Sequence, residues 1–108
     1  MYNCIAPGNC VLQARAVRTF LQVFPELPRG LFTLTDKKNI IDKAHPRPRV
    51  GSVAIMENSV DPSTGHVAVV YKIKGDTVFL AEANYGSVQC REDRSMAYND
   101  KQIYGYFY

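Results

Sequence analysis

The apolar positions change their period once along the chain. Cys10, Ala14, Val17, Leu21 and Phe24 recur at steps of three and four, which is the period of one helix face. Pro25 stops the pattern, because proline lacks the amide that the next turn needs. Asn9 stands before the first position as a candidate N-cap, its side chain able to accept from the free amides of the first turn. A broken link follows, Pro25-Glu26-Leu27-Pro28-Arg29-Gly30. A shorter helix is predicted from about Asp36 to Ala44, with Thr35 as its cap, Ile40 and Ile41 facing inward, and His45-Pro46 ending it. Beyond this point the pattern becomes that of strands. Val50–Met56 is the first, His66–Ile73 the second and Thr77–Ala83 the third, with Lys74-Gly75-Asp76 as a tight hairpin turn between the last two. A fourth strand is expected over Ser87–Arg91, and Ile103–Phe107 is the last. Helices first and a meander of strands after them predict an α+β domain, its N-terminal helices packed on one face of an antiparallel sheet.

Composition narrows this further. The 108 residues suit one domain, 1–108, with a modest core. Hydrophobic residues make up 46% and charged residues 21%, the balance of a globular chain. The net charge of +3 is mild, and apart from the run His45-Pro46-Arg47-Pro48-Arg49 the basic residues are scattered. That distribution is too diffuse for a nucleic-acid partner. No apolar run reaches the length of a membrane span, so no membrane partner is expected. The first residues, MYNCIAPGNC, show neither a basic n-region nor an apolar h-region. The expectation is a chain without a secretory signal. Three cysteines is an odd number, so at least one thiol should be free, and whether Cys4 and Cys90 pair is left open.

The candidate chemistry starts at Cys10. A thiol in the first turn of a helix lies near the positive end of the helix dipole, where the thiolate is favoured. The plainer alternative is that Cys10 is the first small residue of a buried face. His66 opens the second strand, and it lies as far before Gly75 as Asn84 lies after it. The hairpin therefore brings His66 opposite Asn84, with Glu82 close by on the same strand face. An imidazole held by a carboxylate or an amide oxygen presents its other nitrogen to a partner. With Cys10 as that partner, the set is thiol, imidazole and orienting group, which is the arrangement of an activated nucleophile. A zinc site is the competing reading, since Cys4, Cys10, His66 and Cys90 amount to four ligands. Against it, no Cys-x-x-Cys or His-x-His pair is present. His45 reads as a surface residue, and Tyr104, Tyr106 and Tyr108 as positions of an edge strand.

Four stretches resemble the CHAP domain, the cysteine, histidine-dependent amidohydrolase/peptidase family of the papain-like superfamily. GNCVLQARAV resembles the family's nucleophile helix. PRVGSVAIM resembles its Pro-x-x-Gly-Asp strand, with Ser52 where the acid stands. GHVAVVYKIKGDTVFLAEANYG resembles the Gly-His-Val-Ala hairpin with its Glu-x-Asn-Tyr-Gly ending, and IYGYFY resembles the closing strand. The resemblance implies a papain-like CHAP fold. It gives Cys10 as nucleophile, His66 as general base, Glu82 as the residue that orients the imidazole, and Asn84 as a polar residue that shares or replaces that duty. Gln13 or a backbone amide at the helix start is the matching oxyanion donor. Cys4 is a rival nucleophile, but no helical pattern follows it. The acidic cluster that binds calcium in some relatives is missing, so neither a metal nor another cofactor is expected.

The same resemblance implies the substrate. CHAP domains mostly cut peptidoglycan, as N-acetylmuramoyl-L-alanine amidases or as endopeptidases, and many are phage lysins or exported effectors. The expected protein is a monomeric hydrolase, made in the cytoplasm and acting on the bacterial cell wall after release or export. An amidase acting on a small γ-glutamyl or polyamine conjugate is the alternative within the family. A catalytically silent binding module of the same fold is the alternative outside enzymology.

Overall fold

The structure, a computed structural model, describes residues 2–85 and 88–108. Helix α1 spans Cys10–Phe20, and Asn9 is its N-cap as the sequence predicts. The Asn9 Oδ1 accepts from the amides of Val11 and Leu12, at 3.1 Å each. Ala14 and Val17 are buried. The helix stops at Phe20 rather than at Phe24, because Gln22 takes a left-handed φ of 56°. The chain then turns back and offers the Pro25 carbonyl to Arg18, which is almost fully buried and also donates to the carbonyls of Gly51 and Tyr108. Phe24 is left on the surface, 70% exposed.

The second helix is shorter and earlier than the periodicity predicts. Helix α2 covers only Leu34–Lys38, capped by Thr33 rather than Thr35. Asp36 closes the capping box: Thr33 Oγ1 accepts from the Asp36 amide at 3.0 Å, and Asp36 Oδ2 accepts from the Thr33 amide at 2.9 Å. The chain leaves the helix after Asn39, and the Asp42 amide donates to the Tyr106 carbonyl. Ile40 and Ile41 still pack on the core, though from a turn.

Five strands follow: β1 (Val53–Met56), β2 (His66–Lys74), β3 (Thr77–Tyr85), β4 (Val88–Ala97) and β5 (Ile103–Phe107). They form one antiparallel sheet in the order β4-β3-β2-β1-β5. β1 starts at Val53 rather than Val50, after a turn in which Gly51 has a φ of +97°. A Cβ there would lie 2.4 Å from the Val23 Cγ2, so the turn and the packing both require glycine. The predicted start of the fourth strand, Ser87, lies outside the described residues. That strand continues past Arg91 to Ala97. Its polar run Arg91-Glu92-Asp93-Arg94-Ser95 is tolerated because β4 is an edge strand, paired on one side only.

The sheet separates two apolar clusters. Val53, Ile55, Val67, Val69 and Ala81 pack with Ala14 and Val17 of α1 and with Leu27 and Leu31. Ala54, Met56, Ala68, Val70, Val78, Leu80 and Tyr106 form the second. The Tyr106 hydroxyl on β5 donates to the carbonyl of Tyr98, just beyond β4. A disulfide between Cys4 and Cys90, with Cα atoms 5.8 Å apart, fastens the segment before α1 to β4. Cys10 is the free cysteine.

Candidate active site

The start of α1 and the start of β2 converge at one end of the sheet. Cys10 is the first residue of α1 and is partly buried, while His66, the first residue of β2, is fully buried. His66 Nε2 lies 2.8 Å from Glu82 Oε1 on β3, and both side chains are inaccessible to solvent. With Nε2 held by the carboxylate, Nδ1 is the nitrogen left for the thiol. It is buried and has no fully formed hydrogen bond. The Cys10 sulfur is nonetheless near enough to the ring for the two groups to shift each other's ionisation. Such looseness is common in a site without substrate.

The electrostatics favour an ion pair. Burial alone would raise the Cys10 pKa, but the contact with His66, its positive charge, the Val67 amide and the charge of Lys37 outweigh it. The thiol ends below its ordinary range. For His66, burial pulls the pKa down, while Cys10 and Glu82 pull it up more strongly, and the net shift is upward. Burial also opposes ionisation of Glu82, and the hydrogen bonds from Arg94 and His66 overcome it, so this carboxyl stays below its usual range. A lowered thiol beside a raised imidazole is the pattern of a thiolate–imidazolium pair.

The other two predicted residues are occupied elsewhere. Gln13 is buried under the N-terminal segment. Its Oε1 accepts from the amides of Ile5 and Ala6, at 2.8 and 3.0 Å, and its Nε2 donates to the Asn3 carbonyl at 2.7 Å. It braces that segment, and both of its polar side-chain atoms are engaged there. Asn9 takes the amides of Val11 and Leu12, and the Gln13 amide bonds to the Asn9 carbonyl. The Cys10 amide is left without a partner among the described residues. Asn84 has a left-handed φ of 58°, and its Nδ2 donates to the Gly8 carbonyl at 3.2 Å, in the turn that leads into Cys10. Glu82, and not Asn84, holds the imidazole. The Gly86 that ends the Glu-x-Asn-Tyr-Gly motif lies outside the described residues.

Two charged residues at the site carry no signal in the sequence. Arg94 grips Glu82 from β4, and it stands beyond the predicted end of the fourth strand. Lys37 falls inside the predicted second helix with no role assigned to it, yet it is 1% exposed. Its Nζ donates to the carbonyls of Leu31 and Thr64, at 3.1 and 2.8 Å, which ties α2 to the residues just before His66. No three His, Cys, Asp or Glu side chains among the described residues are grouped to hold a metal ion. Bonded to each other, Cys4 and Cys90 are also withdrawn from the zinc set.

Comparison with known proteins bears on the fold and the family. A structural neighbour is Ly7917, whose crystal structure with the hydrolyzing product of MDP superposes with a TM-score of 0.63 at 15% sequence identity, covering 94% of this chain and 53% of that one. A second crystal structure of Ly7917 aligns over 55% of this chain and 26% of that one, at 21% identity and a TM-score of 0.46. The chain thus spans about half the length of Ly7917. No curated protein sequence matches it. The family model of the CHAP domain matches residues 3–84, from the disulfide-anchored N-terminal segment through α1 and on to Asn84 of β3. With its sheet order and its Cys10–His66–Glu82 cluster in place, the chain belongs to the CHAP domain family.

Proposed function

We propose that this protein is a peptidoglycan hydrolase that cleaves an amide bond through a thioester on Cys10. The observation that carries the reading is the buried His66–Glu82 pair set against the free thiol at the start of α1. Membership of the CHAP family supports peptidoglycan as the substrate class. The fold neighbour crystallised with the hydrolyzing product of MDP, a peptidoglycan fragment, is in keeping with it.

The Cys10 thiolate attacks the carbonyl carbon of the scissile amide. The negative charge that develops on oxygen is met by the Cys10 amide, at the positive end of α1. His66 gives its Nδ1 proton to the leaving amine, the C–N bond breaks, and a thioester remains on Cys10. The now neutral imidazole takes a proton from water, the resulting hydroxide attacks the thioester, and the thiolate leaves with the acid product released. Glu82 stays ionised throughout. It fixes the ring's tautomer and stabilises the imidazolium. N-acetylmuramoyl-L-alanine amidase and endopeptidase activity both follow this chemistry.

The test is zymography on purified peptidoglycan with mass spectrometry of the released fragments, comparing wild type with Cys10→Ala. New amine and acid termini from the wild type, absent from the variant, support the reading. Clearing by both proteins, or by neither, sinks it.

A further inference from the structure

We propose that Arg94 is a positioning residue, which holds Glu82 ionised and in one orientation so that His66 can stand as the imidazolium partner of Cys10. The inference rests on the catalytic reading above and extends it by a fourth member. The guanidinium meets the carboxylate as a fork: Nε lies 2.7 Å from Oε2 and Nη2 lies 2.8 Å from Oε1. Oε1 therefore receives two donors, Arg94 Nη2 and His66 Nε2. Two parallel bonds fix the carboxylate plane in a way that one donor cannot. The Arg94 guanidinium carbon also lies 3.7 Å from the Tyr85 ring centroid, and that ring's centroid is 5.0 Å from the centroid of the His66 ring. Tyr85 thus packs against the base and against the cation that anchors its carboxylate.

The β-bulge between Leu80 and Glu82 makes this reach possible. Arg94 pairs with Leu80 and Arg91 with Glu82 across the β3–β4 ladder, so the residue that neutralises Glu82 is not the one opposite it. Arg91 is engaged with Asp93 at 2.6 Å. The charged and titratable groups around the cluster are Cys10 from α1, Lys37 from α2 acting on Cys10, His66 from β2, Tyr85 from β3, and Arg91, Asp93 and Arg94 from β4. From β1, Met56 offers a sulfur 4.0 Å from Arg94 Nη2 and no charge. Arg94 alone among them is bidentate on Glu82. Without it, a carboxylate sealed from water has only the imidazolium to keep it ionised. It would then hold its proton to higher pH, and the imidazolium would lose its counter-charge in the same range.

The experiment reads the thiolate directly, so it does not depend on the substrate. The rate of Cys10 alkylation by iodoacetamide is followed against pH in wild type, Arg94→Met and Arg94→Lys, alongside peptidoglycan turnover. In the wild type, the midpoint for thiolate formation should lie below the ordinary thiol range. Arg94→Met should raise it by about one pH unit or more, a drop of about tenfold in labelling on the acid side. Arg94→Lys, which keeps the charge but not the fork, should raise it less. If Arg94→Met does not fold, Arg94→Lys decides. A depressed wild-type midpoint that neither folded variant moves, or that shifts downward, overturns the inference and leaves the catalytic reading standing. A wild-type midpoint in the ordinary thiol range overturns both.

Discussion

At the scale of single residues, the thiol and the carboxylate have separable effects. Cys10→Ala removes one sulfur from a partly buried position at a helix edge, a change that should cost about 1 kcal/mol. Hydrolysis should vanish while circular dichroism and the cooperative melt remain. Iodoacetamide should reproduce the loss in the wild type, and EDTA should leave activity unchanged. Residual turnover in Cys10→Ala would remove it as nucleophile. Glu82→Gln should act differently. An amide still accepts from His66 Nε2 but no longer stabilises the imidazolium, so the rate should fall by about tenfold or more. The pH profile supplies the sign. On the proposed mechanism, activity requires Cys10 deprotonated, which its lowered pKa favours on the acid side, and His66 protonated, which its raised pKa extends on the alkaline side. Removing the Glu82 charge lowers the His66 pKa and should draw the alkaline limb toward lower pH. An alkaline limb that stays in place would show that Glu82 contributes no charge effect. Cys10, His66 and Glu82 were legible because a helix start and a hairpin's symmetry are local properties of sequence. Arg94 and Lys37 were not, because a charged residue is buried only when distant backbone or a distant carboxylate awaits it.

At the scale of elements, the N-terminus of α1 determines where the thiol lies. Asn9→Ala frees the amides of Val11 and Leu12 and should cost about 1 kcal/mol. It should also raise the Cys10 pKa, since a frayed first turn presents a weaker dipole. A thermal melt together with the pH dependence of thiol labelling checks both. An unchanged melt would mean that the tertiary contacts of the segment, not the cap, hold the helix start. Among the strands, β2 and β3 begin at the predicted residues, and β5 has both of its predicted ends. The ends of the helices were misread for one common reason. Each is set by a distant demand that outweighs local pattern, such as Arg18 drawing the Pro25 carbonyl inward or β5 capturing the Asp42 amide.

At the scale of the whole molecule, the Cys4–Cys90 bond spans 86 positions of sequence and joins the first described segment to an edge strand. A cross-link of that span restricts the unfolded chain strongly, and its removal from a small domain costs typically 2–4 kcal/mol. The double variant Cys4→Ser/Cys90→Ser should therefore melt well below wild type, and Gln13, which braces the same segment, should lose protection from hydrogen exchange at Ile5 and Ala6. A melt within a degree of wild type would mean that Gln13 and its neighbours suffice to hold the segment. That the chain pairs these two cysteines was not legible, since an odd count leaves the partner unspecified. The pairing also gives the protein two sulfur requirements of opposite sense. Strongly reducing surroundings open the staple, and strongly oxidising ones convert the nucleophile to an inactive acid. On the proposed mechanism, activity should therefore fall at both extremes of ambient potential, through Cys4–Cys90 under reduction and through Cys10 under oxidation.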